Sequence, residues 1–231
     1  MKYVITDNRI DKKCATSLME RGFELIKLPC FPALQKPVSA HPDMLLFLGE
    51  GRIACHKDYF SIAQNEISKI SEITKAEIML SCETIDSEYP KDVLFNAAAV
   101  GNNLICRLDA VSEKIKTGYE IINVRQGYAK CSTCVVSDKA IITADSSIAN
   151  AAEKNGIDVL LVSSNGVRLD GYDCGFIGGA SGSDKDNVYF CGNVDLHPDG
   201  ERIKEFCQKQ GKTAVSLSDE PLYDYGTLIF I

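Results

Sequence analysis

Cys134-Val135-Val136-Ser137-Asp138-Lys139-Ala140-Ile141-Ile142-Thr143, read on to Val162, spells out one complete structural unit. Cys134-Val135-Val136 reads as a strand, Ser137-Asp138-Lys139 as a tight turn, and Ala140-Ile141-Ile142-Thr143 as a second strand running back. Asp145 or Ser146 can cap a helix through Ala149, Ala152 and Glu153, which Asn155-Gly156 stops. Ile157 to Val162 is a third strand, apolar enough to be buried on both faces. The unit is therefore strand, turn, strand, helix, strand.

The same order recurs on both sides. Upstream, Asp92 to Phe95, the Gly101-Asn102-Asn103 turn and Leu104 to Cys106 form a hairpin. A helix from about Ala110 to Lys116 and a strand over Glu120 to Val124 complete it. One step earlier stand Met44 to Phe47, Gly49-Glu50-Gly51, Arg52 to Cys55, a helix within Phe60 to Ile70, and a strand at Glu77 to Leu80. Downstream, Gly175 to Gly179 opens a unit that continues through Val188 to Cys191, a helix from about Gly200 to Lys209, and Thr213 to Leu217. The chain then ends in a lone first strand at Gly226 to Ile231. Its remainder stands at the other terminus: Lys2 to Thr6, a helix from Asp11 to Glu20 stopped by Gly22, and Phe23 to Leu28.

First strands thus begin near Met44, Val93, Cys134, Gly175 and Thr227, a period of roughly 40 to 50 residues, which calls for a ring or a solenoid. A unit split between the termini decides for the ring, because pairing the first and last strands leaves no raw edge. The expected units fall near 41–88, 89–130, 131–171, 172–222, and 223–231 plus 1–40, in a single α/β domain. Cys55, Cys106 and Cys191 end second strands, and Cys30 and Cys82 follow third strands, as repeated packing positions do.

Composition sets outer limits. The 231 residues carry a net charge of −7 and no block of Lys or Arg, which argues against binding driven by neutralising nucleic-acid phosphates. Met1 to Asp7 turns polar too soon for a signal peptide, and no run is long enough to span a membrane. A cytoplasmic location is expected, so most of the ten cysteines should stay reduced and apolar in behaviour. Gly175 to Gly182 lacks the Lys-Ser/Thr of a phosphate loop and is followed by a strand, so no cofactor is expected. Its small residues would instead let the wall pass close to a neighbour. His56 and His197 read as surface residues.

On this five-unit register the chain resembles the penteins, the five-bladed α/β propellers of guanidine-modifying enzymes such as arginine deiminase, agmatine deiminase and dimethylarginine dimethylaminohydrolase. It is most similar to uncharacterised bacterial members. The resemblance implies first strands lining a central channel, with functional groups where those strands begin. In the enzymes resembled, a Cys on the C-terminal strand attacks the amidino carbon, a His-x-Asp in a middle unit manages protons, and carboxylates pair the planar cation. His41-Pro42-Asp43-Met44 resembles the Pro-Asp opening of the first full unit, and Pro90 to Phe95 the acidic opening of the next. Cys131-Ser132-Thr133-Cys134 stands where the His-x-Asp belongs, and Tyr223-Asp224-Tyr225-Gly226-Thr227 where the Cys belongs. The usual base and nucleophile are therefore missing.

The strand beginnings carry His41, Asp43, Asp92, Asp173 and Asp224 as candidate ligand-binding residues, and Cys131, Cys134 and Cys174 as candidate relocated nucleophiles. Cys131, Cys134, Cys174 and His41 also have the ligand types of a zinc set. Singly, an Asp before a strand caps backbone N–H groups. Jointly, the acids suit a small cationic, guanidinium- or amidino-like ligand. Three functions stay open: such binding without deiminase chemistry, a Cys-dependent amidino hydrolase or transferase with a rearranged site, and a protein-binding module like translation initiation factor 6.

Overall fold

The best-formed elements are those with strong local signals. The computed structural model describes residues 1–231. Asp11 accepts N–H groups of Lys13 and Cys14 and starts helix α1 (Lys12–Glu20), and Gly22 at φ +85° turns the chain out of it. Strands β1 (Lys2–Asp7) and β2 (Phe23–Leu28) flank this helix and pair in parallel. Asp145 caps α5 (Ser146–Lys154) in the same way.

Five three-stranded sheets share one topology: the first strand antiparallel to the second, the second parallel to the third. They are β3 (Leu46–Gly49), β4 (Arg52–His56) and β5 (Glu77–Ser81); β6 (Ala98–Val100), β7 (Asn103–Cys106) and β8 (Glu120–Asn123); β9 (Thr133–Ser137), β10 (Ala140–Thr143) and β11 (Asp158–Leu161). The fourth has β13 (Ser181–Ser183), β14 (Asn187–Phe190) and β15 (Thr213–Ser216), and the fifth joins β17 (Ile229–Phe230) to β1 and β2. Two short strands, β12 (Val167–Arg168) and β16 (Leu222–Tyr223), pair outside this scheme. The remaining helices are the single turn α2 (Pro42–Leu45), the consecutive pair α3 (Lys57–Ile62) and α4 (Gln64–Thr74), and α6 (Gly200–Lys209).

Each sheet is joined to the next by its own apolar cluster. Phe47 and Ala54 meet Leu104 and Ile115 between the first and second sheets. Ile105 and Ile122 meet Ile141 and Ile148 between the second and third. Cys134 and Ile142 meet Phe190 and Ile203 between the third and fourth, and Tyr189 meets Val4 and Leu18 between the fourth and fifth. Ile5 and Leu28 meet Met44, Ile53 and Ile67 between the fifth and the first. In every case the helical segment of one unit wedges between its own sheet and the preceding one, which removes its apolar stripe from water.

Several elements differ from the sequence reading. The apolar run Val93-Leu94-Phe95 is a buried turn, and β6 begins only at Ala98. Likewise Met44 lies in α2, and β13 and β17 begin at Ser181 and Ile229. The helix expected over Ala110 to Lys116 is a 3-10 turn at Glu113–Ile115. Strand β11 is half exposed rather than buried on both faces: Asp158 and Leu161 are exposed, and Val159 and Leu160 are only partly covered. His56 and His197 are buried, not surface residues: each Nδ1 accepts the backbone N–H two residues on, from Asp58 (3.2 Å) and Asp199 (3.0 Å). Cys55, Cys106 and Cys191 are buried at the ends of second strands, as packing positions. No helix is long and apolar enough to cross a membrane.

Candidate functional site

The five strand beginnings are tied together by hydrogen bonds. The Asp43 N–H, free at the start of α2, is donated to the Gly226 carbonyl at 3.1 Å. Thr227 N–H donates to Gly179 O at 2.8 Å, and Gly179 N–H to Cys131 O at 2.9 Å. Cys131 N–H donates to Asn96 Oδ1 at 3.2 Å, and Asn96 Nδ2 donates to Asp43 O at 3.1 Å, which brings the series back to its start. Asn96 is fully buried and also takes the Lys130 N–H (2.7 Å) and donates to Cys131 Sγ (3.0 Å). At Gly179 a β-carbon would collide with the Asp224 carboxylate, and at Gly226, with φ +69°, it would collide with His41. The small residues of this wall serve close approach, as their sequence suggested.

On one side of this ring lies a cavity of about 190 Å³, lined by residues of all five first-strand segments: Leu46, Ala99, Val135, Ser183 and Phe230 among them. Asp43, Lys130 and Thr227 supply its ionic and polar head. Asp43 is 2% exposed, and neither carboxylate oxygen has a hydrogen-bond partner among oxygen and nitrogen groups. Burial raises its pKa to about 6 from an ordinary 3.8, against the opposing pull of Lys130 and of the Cys131 thiol. Lys130 Nζ donates to Thr227 Oγ1 at 2.7 Å. Thr227 holds φ +75°, a conformation that costs a β-branched residue energy and that the surrounding contacts impose.

On the other side is a basin of about 590 Å³ containing Asp7, Arg9, His41, Asp224, Tyr223 and Tyr225. His41 is 2% exposed and stands between two buried carboxylates, with Nε2 3.9 Å from Asp7 Oδ2 and Nδ1 3.7 Å from Asp224 Oδ1. Burial lowers its pKa, and the two carboxylates oppose that. Asp224 is raised by burial, with His41 opposing, and accepts N–H groups from Phe176 and Gly226 at 2.9 Å each. The tripeptide His-x-Asp occurs at His41, His56 and His197. His56 Nδ1 caps α3 and His197 Nδ1 accepts the Asp199 N–H, whereas His41 Nδ1 makes no such bond.

The sequence candidates are thus divided. His41 and Asp224 share the basin, while Asp43 lines the smaller cavity and meets the Cys131 thiol. Asp92 lines neither cavity; its Oδ2 accepts from Tyr128 OH at 2.5 Å, and burial raises its pKa. Asp173 is exposed. Cys134 belongs to the apolar cluster between the third and fourth sheets, and Cys174 lines a separate small cavity with Gln126 and Ser132. The zinc set is therefore corrected: no three His, Cys, Asp or Glu side chains converge as ligands, because these cysteines and His41 lie in different environments. Burial and the charges of Asp43 and Asp224 push the Cys131 thiol far above its ordinary value, and burial also raises Cys134. Neither is a thiolate near neutral pH. Asp7, Arg9, Asn96 and Lys130 escaped the sequence reading. Placing the second first strand at Val93 hid Asn96, which occupies the same register before β6 as Cys131 before β9.

Five small mixed sheets of one topology, packed through their helical segments, define a class: the mixed α/β fold of the guanidine-modifying enzymes, the pentein fold. Solved structures agree. An amidinotransferase from Microseira wollei, of the saxitoxin biosynthetic pathway, superposes with a TM-score of 0.54 at 9% identity over 88% of this chain and 72% of that one. Agmatine deiminase of C. jejuni gives 0.52 at 10% identity, covering 94% and 87%. The dimethylarginine dimethylaminohydrolase of Pseudomonas aeruginosa, a Cys-to-Ser variant complexed with citrulline, gives 0.52 at 10%, covering 94% and 91%. No curated protein matches the chain in sequence. The chain belongs to the family described as Family of unknown function (DUF6873), whose model matches residues 5–229.

Proposed function

We propose that the chain is one five-bladed α/β propeller, with units near 41–88, 89–130, 131–171, 172–222, and 223–231 plus 1–40, that binds a small guanidinium- or amidinium-like cation in its central channel without deiminase chemistry. One observation carries this reading: Asp43 presents two buried carboxylate oxygens, without N–H or O–H partners from nitrogen or oxygen groups, at the head of an apolar-walled cavity. A buried carboxylate is costly unless paired, and a planar cation with two N–H groups on one edge meets both oxygens at once. Leu46, Phe47, Phe95 and Phe230 give the walls an apolar character suited to an alkyl chain. The fold neighbours named for guanidino and amidino chemistry support the ligand class. Binding is favoured over catalysis by Cys131 or Cys134 because both thiols are held protonated by burial.

Isothermal titration with agmatine tests this. The wild type is expected to bind one equivalent, and the D43N variant none. Equal binding to D43N, or no heat with any guanidinium or amidinium cation, would overturn it.

A further inference from the structure

Asp7 is fully buried on the basin side of the ring, and the chain itself supplies its counter-ion. Arg9 Nε donates to Asp7 Oδ1 at 2.9 Å and Nη2 to Asp7 Oδ2 at 2.6 Å, the two-point pairing of a guanidinium on a carboxylate. Its outer N–H groups continue to main-chain acceptors, Nη1 to Lys36 O at 2.5 Å and Nη2 to Pro37 O at 2.8 Å. Two carboxylate oxygens and two carbonyls thus surround one planar cation in its own plane, as a built receptor for such a cation would. The side chain nevertheless keeps 36% of its surface in solvent, facing a basin of about 590 Å³. Arg9 reaches this position on a stem only two residues from Asp7, so it can leave without disturbing β1.

We infer that the basin is a second guanidinium site, distinct from the Asp43 channel, and that the chain's own Arg9 occupies it. A free guanidinium compound enters when Arg9 swings into solvent. The Asp7 Oδ2 that Arg9 holds is also the oxygen nearest His41 Nε2, so the occupant and the imidazole share one carboxylate. A tethered occupant competes at an effective concentration in the millimolar range. The wild-type basin therefore binds external cations weakly, by the fraction of time it stands open.

The test is a calorimetric titration with methylguanidinium at low millimolar concentration, with methylammonium as the control. R9A is expected to bind one equivalent more than the wild type, and to bind it at least tenfold more tightly than the wild-type basin does. The added equivalent should persist in R9A/D43N, where the channel site is gone. A wild type that binds nothing while R9A binds one equivalent would remove the channel proposal and keep this one. R9K, which leaves Asp7 a positive charge and protects the fold, should take up methylguanidinium with an affinity between those of the wild type and R9A. The inference is overturned if R9A or R9K binds no more than the wild type. It is equally overturned if methylammonium binds R9A as well as methylguanidinium does, since the position would then want only a charge.

Discussion

Asp7 and Asp43 lie on opposite sides of one hydrogen-bonded ring, and the chain treats them in opposite ways. Both are buried carboxylates beside His41 in space or in sequence. Asp7 has Arg9, two residues away, filling both of its oxygens. Asp43 has no hydrogen bond from any nitrogen or oxygen donor, and Lys130, the nearest cation to influence it, is committed to Thr227. The paired acid is stable as it stands, and the unpaired one retains a cost that a ligand would relieve.

The largest effect should come from the ring that separates the two acids. N96A removes the acceptor of two backbone N–H groups and the donor to Asp43 O. A loss of about 3–4 kcal/mol in urea unfolding is expected, as for stranding several buried polar groups. Next is the paired side. R9A leaves a buried carboxylate unmatched and should cost about 3 kcal/mol at pH 7, measured the same way.

The unpaired side should respond with the opposite sign. The folded pKa of Asp43, about 6, lies above its ordinary 3.8. The folded state therefore holds the proton more tightly, and stability falls as pH rises through that window. D43N should remove this loss, leaving the protein more stable than wild type at pH 8 by on the order of 2 kcal/mol while abolishing cation binding. An R9A change near zero, or a D43N loss, would erase the contrast. Agmatine affinity should in turn weaken several-fold from pH 7 to pH 5 as Asp43 takes up its proton. The smallest effect concerns thiols: iodoacetamide at pH 7.5 should modify exposed Cys30 and Cys82 and spare Cys131 and Cys134, read by mass spectrometry.

Where local chemistry specifies the element, the sequence was legible. Asp11 and Gly22 bracket α1, and the spans of β2 and α6 match their expected limits. Each third strand pairs in parallel with the second strand expected beside it. The first strands begin later than expected in four units; in two of them Val93-Leu94-Phe95 and Gly175 to Gly179 look like strand residues, yet they are buried outside any strand. Hydrophobicity reports burial and not backbone shape in runs this short. The site was half legible for a related reason. His41, Asp43 and Asp224 announce themselves at strand beginnings. Asp7, Asn96 and Lys130 acquire their roles only when distant units meet, as Asn96 does with Asp43 and Cys131.

Whether Asp43 is the cation's partner is tested most directly by an NMR titration of its side-chain carboxyl carbon, with and without agmatine. A midpoint near pH 6 is expected in the free protein, well above the ordinary carboxylate range, with a shift to lower pH when agmatine binds. A midpoint near 4 in the free protein, or one that agmatine leaves unchanged, would contradict it.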